Sequence, residues 1–147
     1  MKFDLIPASE AERMFFRKVH HVAYRSVIEA MFGWDEASQD KTADREFDER
    51  NPHLIVEADN AVGIIGWLSK EDHIWFGPLY VLPEFQGKGI GSSVVKHFIK
   101  QAEERNLPLR LRTLRKNEGA KRLYERHGFK VTSASDIHWH MEFCVAH

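Results

Sequence analysis

Between Leu82 and a helical stretch that starts near Gly91, the chain reads Gln86-Gly87-Lys88-Gly89-Ile90-Gly91, followed by Ser92 and Ser93. Glycines at alternate positions let successive backbone amides turn to one side with no side chain in the way, and a helix N-terminus directly behind them adds partial positive charge. Those are the requirements of an anion cradle. The two serines fall in the first helical turn, where a hydroxyl caps the helix or contacts a phosphate. Two nucleotide-binding alternatives fail on spacing. The ATPase-type phosphate loop needs four residues between its first Gly and a Gly-Lys-Ser/Thr, and the dinucleotide fingerprint needs Gly-x-Gly-x-x-Gly. A glycine-rich turn that only joins strand to helix is the plain structural alternative. His138-Trp139-His140 places two imidazoles on one face of a late strand. With no third local ligand or cysteine partner, no metal site is expected there.

The elements that must position this loop are set by periodicity and punctuation. Phe3 to Ile6 reads as an opening strand, and Ser9-Glu10-Ala11-Glu12 has the Ser-x-x-Glu form that starts a helix. Apolar residues at Met14, Phe15, Val19, Val22, Ala23, Val27, Ile28 and Met31 recur near the helical period, and Gly33 supplies the stop. Seven acids lie between Asp35 and Arg50, interleaved with Lys41, Arg45 and Arg50. Mixed charge at helical spacing predicts a second helix with a solvated face, a cation-attracting wall being the alternative, and Pro52 ends it. His53 to Glu57 and Ala61 to Leu68 are β-rich runs that form a hairpin, and His73 to Leu82 is a third strand. Gly77-Pro78 inside that strand weakens its ladder, so a bulge or a parting from a neighbouring strand is expected there. A helix then runs from about Gly91 to Arg105, a strand from Leu109 to Leu114 and a helix from Glu118 to His127. The final strands begin at Phe129, with His138 to Val145 as the terminal one. The order is mixed α/β, without repeat, low-complexity tract or linker, and predicts one domain over residues 1–147.

The 147 residues carry 21 Lys and Arg against 22 Asp and Glu, a formal net charge of -1. Near-neutrality argues against a general nucleic-acid binder. The longest unbroken apolar stretch, Ala61 to Leu68, spans 8 residues, far short of the roughly 20 that cross a bilayer. The N-terminus meets Asp4 before any apolar signal core, and Cys144 is the single cysteine. A cytoplasmic chain without disulfides is expected. The charge is uneven: Met1 to Trp75 holds 9 basic and 15 acidic residues, net -6, and Phe76 to His147 holds 12 and 7, net +5. A polyanionic ligand favours the second half.

Two blocks resemble the GNAT superfamily of N-acetyltransferases. Gln86, Gly89 and Gly91, behind Leu79-Tyr80-Val81-Leu82-Pro83, match its Gln/Arg-x-x-Gly-x-Gly/Ala motif. Asn117-Glu118-Gly119-Ala120-Lys121-Arg122-Leu123-Tyr124 leading to Gly128-Phe129 is similar to its Asn-x-x-Ala-x-x-Leu-Tyr segment. The resemblance implies the family's fold: a central mixed, mostly antiparallel sheet with helices on both faces. It also implies acetyl-CoA as cosubstrate. The amides of Gly87, Lys88, Gly89, Ile90, Gly91 and Ser92 are then expected to bind its pyrophosphate. The edge of Leu79, Tyr80 and Val81 is expected to pair with its pantetheine arm as an added strand, and Asn117 to hydrogen-bond that arm or cap the last helix. Tyr124 takes the role of general acid to the departing thiolate, or of a packing tyrosine.

The expected reaction is direct attack of a primary amine on the thioester through a tetrahedral intermediate. The family's usual base positions correspond to Trp75, Gly77 and Arg112, none of which accepts a proton at neutral pH. The base is left unassigned by the motifs: His73 is a candidate, with Glu57 and Glu71 weaker. An ordinary exposed strand-end histidine is the plain structural alternative, and a water chain or bulk solvent is the other route. Tyr24, Phe32, Trp34, Asp35 and Glu36, on the first two helices and their connection, are candidates for acceptor binding, because an aromatic wall with a carboxylate suits a cationic amine. Core aromatics and helix-capping acids explain the same residues. A noncatalytic acyl-CoA-binding regulator is the alternative function. The acceptor is a small-molecule or peptide amine, with no nucleic-acid or membrane partner expected and a dimer through the terminal strands left open.

Overall fold

The computed structural model describes residues 2–145. Chain order is β1 (Asp4–Pro7), a 3-10 turn (Glu10–Glu12), α1 (Arg13–Phe32), α2 (Glu36–Glu49), β2 (His53–Glu57), β3 (Asn60–Ser69) and β4 (Ile74–Val81). A 3-10 turn (Pro83–Phe85), α3 (Ile90–Arg105), β5 (Leu109–Leu114), α4 (Glu118–Arg126), β6 (Lys130–Ala134) and β7 (His138–Phe143) complete it. The sheet has seven strands in the order β1-β2-β3-β4-β5-β7-β6. Pairing is antiparallel for β1 with β2, β2 with β3, β5 with β7 and β6 with β7, and parallel for β4 with β5. This is the mixed, mostly antiparallel α/β arrangement that the motifs implied. No helix among the described residues is long and apolar enough to cross a membrane.

Contacts divide the chain into two compact units. One is Met1–Trp67 with Pro78–Ile90; the other is Leu68–Gly77 with Gly91–His147.

In the first unit, the Glu12 carboxylate accepts the Ser9 backbone N–H at 3.2 Å, which secures the start of the first helical segment. Its core is Phe16, Val19, Ala43, Phe47, Ile64, Tyr80 and Leu82. The buried stripe of α1 therefore runs through Phe16, Val19, His20 and Ile28, rotated from the one its apolar residues predict. Met14 is 65% and Val22 46% exposed. His20 lies on this stripe although it is polar, and His21 and Glu46 supply polar partners beside it. The acidic run does form α2, capped by the Asp35 side chain, which accepts from the Ser38 N–H at 3.1 Å.

The acidic face of α2 is only partly solvated, which corrects the sequence expectation. Arg13 reaches Asp48 at 2.6 Å, and Arg17 holds Asp44 through both guanidinium nitrogens at 2.9 and 2.5 Å. Arginines on α1 at a spacing of four thus meet acids on α2 at the same spacing. The helices are joined by a charge ladder as well as by the edge-to-face Phe16–Phe47 contact, 5.5 Å between centroids.

In the second unit, the buried side chains are Ile74, Phe76, Val94, Val95, Phe98, Ala102, Leu109, Leu111, Tyr124, Phe129 and Met141. Phe76 lies edge-on to Phe98 at 5.3 Å and to Tyr124 at 6.1 Å. Burying each such ring is worth roughly 1.5–3 kcal/mol. The β4–β5 ladder covers only Ile74 with Leu109 and Trp75 with Arg110. Its register ends two residues before Gly77, whose φ of +117° breaks the strand geometry. The parting expected at Gly77-Pro78 is present.

Candidate active site

The glycine loop belongs to the first unit. After β4, Leu82 and Pro83 lead into the 3-10 turn, and the Gln86 side chain donates to the Val81 carbonyl at 2.8 Å. Gln86 thus folds the loop back onto the end of the strand, a structural task that its type in the motif did not reveal. Gly87 and Gly89 have φ of +76° and +85°, conformations that cost an L side chain of order 1 kcal/mol. Nothing lies within 4 Å of where a Gly87 Cβ would stand. The loop is exposed and α3 starts at once with Ile90. Ile90 is itself buried and anchors the first turn of α3 in the interior. Lys88 reaches over the Phe85 ring at 5.7 Å. Gly91 and Ser92 are the first residues of α3 within the second unit.

On β4, Leu79 and Val81 are half-buried and the Tyr80 side chain is buried in the core. The Tyr80 hydroxyl donates to Glu46 at 3.0 Å, and desolvation first, then the Glu46 charge, raises its pKa well above the usual value. Tyr80 therefore stays a hydrogen-bond donor. β3 passes very close behind this segment: a Cβ at Gly63 would overlap the Tyr80 carbonyl oxygen and stand 3.1 Å from Val81 Cα. Glycine at position 63 is what allows that approach.

The residues expected to select the acceptor also make contacts within their own unit. Tyr24 packs edge-on against Tyr80 at 4.7 Å and His20 at 5.7 Å. Trp34 donates its indole N–H to Glu36 at 2.6 Å and carries the Arg25 guanidinium at 5.1 Å from its ring, while Asp35 caps α2. Beside them lies a polar cluster that sequence reasoning missed. His20, 2% exposed, meets His21 Nδ1 to Nδ1 at 3.0 Å, and His21 Nε2 donates to Asp40 at 2.6 Å. Burial, then the neighbouring His21, pushes the His20 pKa down to about 4. The one available signal was the adjacent histidine pair within a long helix.

The second unit holds the other predicted residues. Asn117 caps α4, its side-chain oxygen accepting the Ala120 N–H at 3.2 Å. Tyr124 lies on the buried face of α4, 8% exposed, with Phe129 5.5 Å from its ring. His73 precedes β4; its Nδ1 donates to Asp72 at 2.7 Å and lies 3.5 Å from Arg110, which pairs with Glu142 at 2.7 Å. The bond from His73 holds the Asp72 carboxyl below its usual value. His138 and His140 have ring centroids 6.5 Å apart.

No curated protein sequence matches the chain. Solved structures do match in fold. The PaiA N-acetyltransferase of Thermoplasma acidophilum, solved with coenzyme A, has a TM-score of 0.78 at 16% identity over 98% of this chain and 99% of its own. The ribosomal-protein-S18-alanine N-acetyltransferase of Escherichia coli gives 0.71 at 16% identity, covering 99% and 96%. Naa50 of Arabidopsis thaliana, bound to the bisubstrate analogue CoA-Ac-MVNAL, gives 0.70 at 18%, covering 97% and 98%. Identities this low establish the fold alone. The family model for GNAT acetyltransferases spans residues 16–129, a stretch that contains both the glycine loop after β4 and the Asn117-to-Tyr124 helix. By that match, over more than three-quarters of its length, the chain belongs to the acetyltransferase (GNAT) family.

Proposed function

We propose that the protein transfers the acetyl group of acetyl-CoA to a primary amine by direct attack, and that the Gln86–Ser92 segment receives the coenzyme. The observation that carries this reading is the loop itself. Gly87 and Gly89 take positive φ, Gly87 is open around its missing Cβ, and a 16-residue helix starts at the next turn. That combination suits a pyrophosphate. The cosubstrate supplies an activated thioester, and the chain's residues do the rest. β4 continues past the end of its ladder with β5, so its backbone offers an edge to the amide-bearing arm. Asn117 serves both expected roles: its oxygen caps α4, and its NH2 remains a donor for the arm. Tyr124 supplies the proton to the departing sulfur. His73 serves as base, since an Nδ1–H held by Asp72 presents Nε2 as the basic nitrogen.

Acetyl-CoA-dependent thiol release across a panel of primary amines tests the reading. Amine-dependent release is expected, with Tyr124→Phe lowering turnover at least tenfold while CoA affinity holds within threefold. Binding of CoA with no release from any amine favours a noncatalytic acyl-CoA binder. Failure to bind CoA or acetyl-CoA overturns both.

A further inference from the structure

The ladder between α1 and α2 has a third rung that differs in kind. Arg13, Arg17 and His21 are spaced by four along α1, and Asp48, Asp44, Asp40 and Glu36 are spaced by four along α2. Arg13 takes Asp48, Arg17 takes Asp44, and His21 stands where the period calls for the next arginine. An imidazole has a ring lone pair that binds metals; a guanidinium has none. Two carboxylates converge on it. Asp40 Oδ1 is 2.6 Å and Glu36 Oε1 3.6 Å from His21 Nε2, and all three atoms lie within 4.8 Å of one another.

Each of these groups is also held from behind at its other heteroatom. His20 meets His21 Nδ1 at 3.0 Å, the Trp34 indole N–H donates to Glu36 Oε2 at 2.6 Å, and Arg17 approaches Asp40 Oδ2 at 3.9 Å. Outer partners of this kind orient the ligands of metal sites. Carboxylates at positions i and i+4 repel one another unless a cation lies between them. At the first two rungs arginine provides it; at the third, α1 offers an imidazole in place of a fixed charge.

We propose that His21, Asp40 and Glu36 bind one divalent first-row transition cation, with Zn2+ favoured. The site pins the N-terminal turn of α2 to α1 and is independent of the acetyl-transfer reading. One nitrogen and two carboxylate oxygens suit Zn2+, whereas an imidazole ligand disfavours Mg2+ and Ca2+. Seating the ion at about 2.0–2.2 Å from each donor needs donor separations of about 3.3 Å, so Asp40 must draw back from the 2.6 Å contact while Glu36, at 3.6 Å, closes slightly. Protons balance without loss. In the absence of metal, His21 Nε2–H donates to Asp40 and His20 Nδ1–H to His21. With metal on Nε2, His21 carries its proton on Nδ1 and donates it to His20. The His20 proton then sits on Nε2, 3.8 Å from Glu46 Oε1.

The test is calorimetric titration of tag-free, chelator-treated protein with Zn2+, together with Co2+ absorption in the visible. One Zn2+ per chain and a Co2+ spectrum are expected, with the thermal midpoint rising as Zn2+ is added. His21→Gln and Asp40→Asn, folded by circular dichroism, are expected to abolish binding, and Trp34→Phe to weaken it about 10-fold or more. The paired His138→Ala and His140→Ala change is expected to leave it intact. No Zn2+ binding by the native chain, or binding that survives His21→Gln and is lost on changing His138 and His140, overturns the proposal.

Discussion

His20 makes the acid stability of the first unit a quantitative question. The ring is 2% exposed, and burial beside His21 pushes its pKa from the usual 6.5 down to about 4. The unfolded chain therefore binds a proton at a pH where the folded chain does not. Stability is fully present above about pH 6.5 and is lost as the pH falls toward 4. At 1.36 kcal/mol per pKa unit the whole interval is worth about 3 kcal/mol, and about 2 kcal/mol of that has gone by pH 5. Choosing pH 5 keeps the measurement above the midpoints of ordinary carboxylates. The groups facing the ring are His21, Glu46, Tyr24 and Tyr80, with Asp40 one step further through His21. Urea unfolding with EDTA present, at pH 7 and pH 5, gives the two stabilities. Burial also lowers the His97, His127 and His138 pKa values, so the readout is the difference. The native chain is expected to lose about 2 kcal/mol more between the two pH values than His20→Gln, which is less stable at pH 7. Equal losses in both proteins would refute the assignment of the acid sensitivity to this ring.

Three further outcomes rest on local geometry. Gly63→Ala places a methyl on the Tyr80 carbonyl, a backbone atom that no rotamer change can move, so it is expected to cost about 1–3 kcal/mol in denaturant unfolding. CoA affinity should fall with it, because β4 must shift. Gly89→Ala, at a φ of +85°, is expected to cost of order 1 kcal/mol and to weaken CoA binding measured by calorimetry more than it lowers the thermal midpoint. Asn117→Ala removes the α4 cap and is expected to cost about 1 kcal/mol, whereas Asn117→Asp keeps the cap and the stability but loses the NH2 donor and is expected to weaken acetyl-CoA binding.

Local sequence rules carried most of the elements. The strand from Leu109 to Leu114 alternates cleanly and Asn117 caps the helix behind it, because a period of two and a side-chain cap are short-range properties. The glycine loop was equally legible, since only glycine takes the positive φ found at Gly87 and Gly89 without cost. The phase of α1 was not. Counting hydrophobes put Met14 and Val22 inward, whereas the helix turns so that Phe16, Val19 and His20 are covered and those two face solvent. Which side of an apolar-rich helix is buried depends on what packs there, and α2 brings charged partners as well as Phe47.

The same division applies to function. Glycine spacing and the Asn117-to-Tyr124 block, read alone, led to the acyl-CoA-dependent acetyltransferase family, because both motifs are contiguous and their chemistry rests on backbone amides and a helix start. The tertiary structure alone decided the fate of side chains whose partners lie far along the chain. Gln86 holds the Val81 carbonyl, and Gly63 makes room for that of Tyr80. His21 meets Asp40 across 19 positions, a contact set by the antiparallel ladder of two helices, which no local spacing encodes.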